Sequence, residues 1–403
     1  MGAVPPAKGG IHMTSILDRG PKSEPAAKTP TTLPASTPTG DASVGRRPLA
    51  LLQTLAAYRA VAALPGMALL LAVAIVVATA TGTVPISPWT TTQILLNQTQ
   101  LFHFAHHWPV ADEIILRLYR EPRVMGAALV GMALGVAGTL FQGLLRNPLA
   151  DPLLLGTSAG ASLGATLAFA LTSSVTASWL GFGAVAGLAF VGALLAVALV
   201  YALATRGGRT PIITLLLAGV AVGAVLTAAQ TLIITLDASL QQRLASLYFW
   251  VSGAINVQNW AQLGVVGALV AVSLLASLAL APTLDALALG EEMATHVGLR
   301  VERRKLLIVA VAALLVAAAV SISGLVGFVG LVAPHACRIV LGPRNRLLVP
   351  ASALVGAIFV VAADLLARTL AAPTELPLGV LTALIGAPFF LALLRRAGQA
   401  YRW

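Results

Sequence analysis

Past about residue 60 the chain alternates between long apolar runs and short polar interruptions. The runs fall at about 61–80, 124–144, 153–172, 179–204, 211–236, 258–280, 306–323, 325–341, 349–370 and 377–394. Each approaches the roughly 20 residues that a helix needs to cross a ~30 Å hydrocarbon core. The stretch 306–341 is nearly unbroken, and as one helix it would run about 54 Å, far beyond that core. Arg303, Arg304 and Lys305 precede it, and Arg344 and Arg346 follow it. Basic clusters at both ends belong on the cytoplasmic side, so the chain is expected to cross twice there, turning near Ser323-Gly324. The pattern predicts an all-α polytopic membrane protein with about ten transmembrane helices and cytoplasmic N- and C-termini.

Residues 1–48 are a different material, rich in Pro, Thr, Ala and Ser (KTPTTLPASTPTGDAS) and without an apolar period. Such a segment cannot bury enough surface to offset its ordering entropy, so a disordered cytoplasmic tail is expected ahead of a membrane domain at 49–403. No apolar core follows the early basic residues, so the tail does not read as a signal peptide.

Composition narrows the class. Of the 403 residues 58% are apolar and 10% charged, against about 45–50% and about 25% in soluble domains, which excludes an ordinary soluble enzyme. The formal net charge of +11 suggests a nucleic-acid partner in a soluble protein, but here it reads as cytoplasmic loop arginine beside lipid, with no nucleic acid involved. Sixteen of the 25 Lys and Arg residues fall in expected cytoplasmic segments, four in the distal tail, and five (Arg117, Arg120, Arg123, Arg243 and Arg368) at the outer side. Those five need another reason to be basic. The single cysteine, Cys337, cannot form an internal disulfide.

Several spans are dense in Gly and Ala, as in GAALVGMALGVAG (126–138) and GTSAGASLGA (156–165), which lets helices approach closely in lipid. The second segment contains G-x-S-x-G twice, around Ser158 and Ser162, so a membrane-embedded serine hydrolase is a second reading. Its base is missing, because none of the six histidines falls inside a span facing either serine. A third reading, an ion-coupled secondary transporter, wants several midplane carboxylates. Only Asp364 is a candidate, and Arg368 lies one turn from it.

Four segments carry a resemblance: REPRVMGAALVGMALGVAGTLFQGLLRNPLADPLLLGTSAGASLGA (120–165), LALGEEMATHVGLRVERRK (287–305), SGLVGFVGLVAPHACR (323–338) and LVPASALVGAIFVVAADLLARTLAAPTELPLGVLTALIGAPFFLALLRR (348–396). In this order they resemble the FecCD-type permease subunits of bacterial ABC importers for iron–siderophore complexes, haem and cobalamin. The resemblance covers roughly residues 60–396. It implies a multi-pass permease in the cytoplasmic (inner) membrane that forms a homodimer or a similar heterodimer, with the cargo path between the copies. It also implies a cytoplasmic ATPase dimer that binds ATP and Mg, and an extracytoplasmic substrate-binding protein. This chain is expected to bind no cofactor or metal of its own and not to be an enzyme. A phosphate-binding loop needs GxxxxGK[ST], and the only lysine after residue 48 is Lys305, in ERRKLL.

Gly290, Glu291, Glu292 and Gly298, within a loop at about 284–303, match the family segment that couples to the ATPase. Two glycines bracketing a short amphipathic piece make a compact knob; from the residues alone a solvated loop is the favoured reading, and the resemblance turns it toward coupling. Arg120, Arg123 and Arg368 match external arginines that pair with binding-protein carboxylates. The alternatives are snorkelling anchors and, for Arg368, an i,i+4 pair with Asp364. Asn147 and Leu149 (Asn-Pro-Leu) match a cytoplasmic gate, or form a turn between helices. A second gate loop is expected near Thr210-Ile213, where this sequence departs from the family's more polar pattern. His103, His106 and His107 cluster in the first outer loop, where they are either transient haem ligands or surface residues. His335 reads as structural.

Overall fold

The computed structural model describes residues 46–82, 84–98, 102–171 and 183–400. The chain divides into two compact units after Ala50. Of the first, residues 46–50 are described and are helical, so the expected tail lies outside the described residues up to position 45. The described chain forms fifteen α-helices: α1 (Arg46–Ala80), α2 (Pro88–Gln98), α3 (Val110–Ile115), α4 (Glu121–Leu145), α5 (Thr157–Leu171), α6 (Ala184–Ala204), α7 (Ile212–Leu236), α8 (Ala238–Gln242), α9 (Leu244–Val251), α10 (Trp260–Ala288), α11 (Glu291–His296), α12 (Val301–Ser323), α13 (Val329–Leu341), α14 (Asn345–Thr369) and α15 (Leu378–Ala400). Seven helical stretches are long and apolar enough to cross a membrane. Three shorter apolar helices, at 157–171, 329–341 and 378–392, complete the ten expected runs.

The differences from the expected runs lie at their ends. The second begins at Val110, because α3, a π-helical turn at Leu116–Arg120 and α4 join into 36 continuous helical residues. Pro122 lacks an N–H, and it sits in the first turn of α4 where no intrahelical partner is needed. Arg120 and Arg123 therefore stand on the helix and not in a loop before it. The third run is broken: Pro152–Leu155 forms a 3₁₀ turn that Asp151 caps, and Gly156 at φ +79° redirects the chain into α5. Burial pushes the Asp151 carboxyl up, while the Leu153 N–H that it accepts holds it down. The expected turn between the seventh and eighth runs is present, with Gly324 at φ +60° ending α12 and α13 starting at Val329.

The core centres on α4. In its most apolar stretch 83% of residues are buried, against 72% for α12, 61% for α14 and 17% for α7. The reason is side-chain size: Gly131 and Gly135 meet the backbone of Gly356 and Ser352 on α14 so closely that a Cβ on either glycine overlaps a carbonyl oxygen. This small-residue crossing replaces hydrophobic driving force with backbone-to-backbone packing, as expected in lipid. Gly131→Leu is expected to lose folded protein, by more than the roughly 1–3 kcal/mol of ordinary overpacking because the obstacle is backbone. The monodisperse peak of the detergent-extracted protein reports the loss, and an unchanged peak disproves the tight crossing.

Candidate functional site

At one end of the bundle, where α4 finishes and α10 meets α12, Gly290 (φ +113°) and Gly298 (φ +88°) bracket α11. Both glycines hold backbone angles that side-chain-bearing residues rarely adopt, which explains the pair. Ala294 is buried and seats α11 on the core, while Glu292 stays exposed. Glu291 is half-buried, with its carboxylate 2.7 Å from the Lys305 ammonium. The knob also carries a feature not read from the sequence: Leu289, Met293 and Val297 are 74%, 55% and 74% exposed. Only Met293 lies within α11; Leu289 closes α10 ahead of Gly290 and Val297 follows the last turn of α11, so the three stand exposed on and around the knob.

Beside the knob, α4 ends at Arg146 in a left-handed conformation (φ 50°). Asn147 is exposed and closes its own turn, its side-chain oxygen accepting the Leu149 N–H at 2.9 Å. That is the behaviour of a turn-forming Asn, and Leu149 is half-buried behind it. The His335 ring on α13 lies edge-on to Phe389 on α15, with ring centroids 6.3 Å apart. A cavity of about 480 Å³ lies alongside, lined by Gln142, Asn147, Asp285, Arg338 and Asn345 among others. Asp285 accepts both the backbone N–H and the side-chain N–H of Asn345. The second gate loop, expected near Thr210-Ile213, is the entry to α7, with Thr210 buried and α7 beginning at Ile212; it follows a tight turn with Gly207 and Gly208 at positive φ between Arg206 and Arg209.

At the opposite end the arginines form a network. Asp364, 1% exposed, sits between Arg123 Nε at 3.0 Å and Arg368 Nε at 2.9 Å. Arg123 also makes a two-pronged pair with Glu375 at 2.9 and 3.0 Å. The remaining Arg368 nitrogens donate to the carbonyls of Ala78 and Thr81. Arg120, 8% exposed, donates to the carbonyls of Thr79, Ala80 and Val84. The last carbonyls of α1 have no partner within the helix and carry its negative dipole end, so two guanidinium groups on them satisfy both needs. Arg117 pairs with Glu113, and Arg243 donates to the Phe169 carbonyl. All five arginines that break the inside-positive pattern thus have acceptors within the chain. The i,i+4 alternative for Arg368 is the arrangement present. The sequence contained that spacing, but not the meeting of Arg123 with Asp364 across 241 positions.

The three outer-loop histidines are all exposed, and His106 also packs on Trp108 and approaches Glu113 at 3.4 Å. Asn97 bonds both the N–H and the carbonyl of Phe104, fixing this loop over α2. Among the described residues no cluster of three or more His, Cys, Asp or Glu could hold a metal ion. The Ser158 and Ser162 motifs have a packing origin: Gly160 crosses Gly192 on α6 at backbone contact, and Gly164 does the same with Leu188.

Residues 70–396 match the model of the FecCD transport family. The chain is 41% identical over 277 residues to a hemin transport system permease of Yersinia pestis, covering 69% of this chain and 82% of that one. It is 40% identical over 300 residues to a cobalamin import system permease of Halobacterium salinarum, covering 71% and 75%. With an iron(3+)-hydroxamate import system permease of Bacillus subtilis it shares 34% over 318 residues, covering 78% and 91%. Among solved structures, an inward-facing ABC transporter of metal-chelate type superposes with TM-score 0.70 at 28% identity, over 83% of this chain and 98% of that chain. The apolar helices, the glycine-bracketed knob and these matches agree, and the chain belongs to the FecCD transport family, as a multi-pass inner-membrane permease of the ABC importer class.

Proposed function

We propose that this permease moves an iron–siderophore complex inward, driven by a separate ATPase dimer that seats on α11 and supplied by an extracytoplasmic binding protein. The observation that carries the reading is the knob itself: a short helix bracketed by glycines at positive φ, with Met293 on it and Leu289 and Val297 at its ends all exposed. An exposed apolar patch beside a charged rim suits a partner's groove and is costly without one. The knob end is then cytoplasmic, which agrees with the arginine distribution and puts both termini on that side. ATP and Mg belong to the ATPase, and this chain supplies the path.

A second copy of the chain completes that path, with Asn147 and Leu149 at its cytoplasmic gate. The uncovered apolar face of α7 supports this, since its Leu217, Val220 and Val225 are all exposed. Docking of the binding protein falls to the opposite rim, where Arg123 and Arg368 stand partly open and Arg120 holds the rim from behind. Rim charges of this kind steer encounter more than they hold a complex.

The siderophore cargo is supported by the hydroxamate relative, whose match covers the largest share among the three named. Uptake by the reconstituted importer decides it, comparing iron–hydroxamate, haemin and cobalamin with and without ATP. ATP-dependent accumulation of the iron–hydroxamate is expected. Accumulation of haemin or cobalamin alone reassigns the cargo, and accumulation of none overturns the importer reading.

A further inference from the structure

Lys305, the only lysine after residue 48, is buried near the start of α12. A lysine at such a helix end usually snorkels to water. Here all three ammonium hydrogens have protein acceptors: Glu291 at 2.7 Å, Glu302 at 3.1 Å and the Thr210 carbonyl at 3.2 Å. An ammonium offers three donors, so the set is saturated. The acceptors come from three places, namely α11, the first turn of α12 and the residue two positions ahead of α7.

Glu302 completes the arrangement, because its second oxygen accepts the Thr210 N–H at 2.9 Å. Lys305 and Glu302 together clasp both backbone groups of Thr210. Thr210 in turn closes the tight turn that precedes α7, with its hydroxyl 2.9 Å from that of Thr205. The glycines at 290 and 298 make poor transmitters of force, since they leave α11 hinged at both ends. A short charged contact into a buried ammonium is stiffer, and removing one member of such a set leaves charge without compensation. Within the chain the receiving element is lightly packed, since 17% of the most apolar stretch of α7 is buried, the same share as in Ala62–Ala80.

We propose that Lys305 is a positioning residue that carries displacement of α11 to the 205–210 turn and the start of α7. Through it, ATPase closure on the knob changes access along the path. This rests on the reading of α11 as the ATPase seat.

The test uses the assembled importer in proteoliposomes, in a Cys337→Ala background with Arg209→Cys as the reporter. Arg209 is exposed and takes part in the turn through its backbone, so the cysteine is tolerated and reachable by a maleimide. In the parent, the labelling rate is expected to differ between ADP and a non-hydrolysable ATP analogue. In Lys305→Met that difference is expected to vanish and uptake to fall about tenfold, with ATP hydrolysis kept within about twofold. Lys305→Arg is expected to restore part of both. If Lys305→Met does not assemble, Glu302→Gln, which weakens the same set from the first turn of α12 and lies outside the knob, takes its place with the same expectation. A variant that keeps nucleotide-dependent labelling and uptake overturns the relay while leaving the ATPase seat intact. Labelling that ignores nucleotide even in the parent overturns both.

Discussion

Met293→Glu is expected to leave the permease inserted and folded but to strip it of its ATPase. Met293 is the large apolar side chain that α11 itself presents, 55% exposed, with the exposed Leu289 and Val297 just beyond the two ends of the helix. Central apolar anchors dominate interface energetics, with losses of about 2 kcal/mol or more on truncation, or roughly 30-fold in affinity. A carboxylate adds the desolvation of a charge within the contact. Co-purification of the ATPase with tagged permease measures the effect, and Met293→Leu is the control that keeps volume and polarity. Full retention of the ATPase by Met293→Glu removes Met293 from the interface. The folded core is not at stake, because Ala294, the neighbour that seats the knob, is untouched.

The second large effect is one of stability. Asp364→Leu leaves the guanidinium groups of Arg123 and Arg368 facing each other with their shared carboxylate removed. Breaking a buried charge set from one side costs about 3–5 kcal/mol, and Asp364 is 1% exposed with Arg368 nearly as covered. Arg123→Leu is expected to cost less, because its other partner, Glu375, is 44% exposed and returns to water when released. Unfolding midpoints of the two variants in mild detergent, ranked against the parent, check both statements. A midpoint for Asp364→Leu within error of the parent shows the network to be ornamental. The loss also separates two roles for the rim, since a residue kept for docking alone leaves the midpoint unmoved.

How much of this was legible varies by feature. The ten apolar runs were, because a helix in hydrocarbon must satisfy its own backbone and display apolar side chains all round. That requirement writes itself into composition over each ~20-residue stretch. Helix ends were less so: Val110–Leu145 runs through Arg117, Arg120 and Arg123, which read as a loop because charge normally ends a span. Those charges are tolerated because Glu113, Glu375, Asp364 and the carbonyls ending α1 answer them. The knob was legible from its glycines, since positive φ restricts the residue type directly. Its exposed apolar residues were passed over because Leu289, Met293 and Val297 fall on no common helix and do not stand out among so many apolar neighbours.

The sequence by itself determined the class: apolar runs set the helices, and the motif succession pointed to the family. Each of these is a property of a short segment in its solvent, so local residue identity suffices. Only the tertiary structure decided what the outer arginines and Lys305 do. Arg123 meets Asp364 across 241 positions and Lys305 meets Thr210 across 95, and a charged side chain's partner depends on which helix ends the fold brings together. Spacing along the chain carries no record of that, because in lipid the pairing is fixed by small-residue crossings such as Gly131 on Gly356, which any glycine-rich helix could in principle have made.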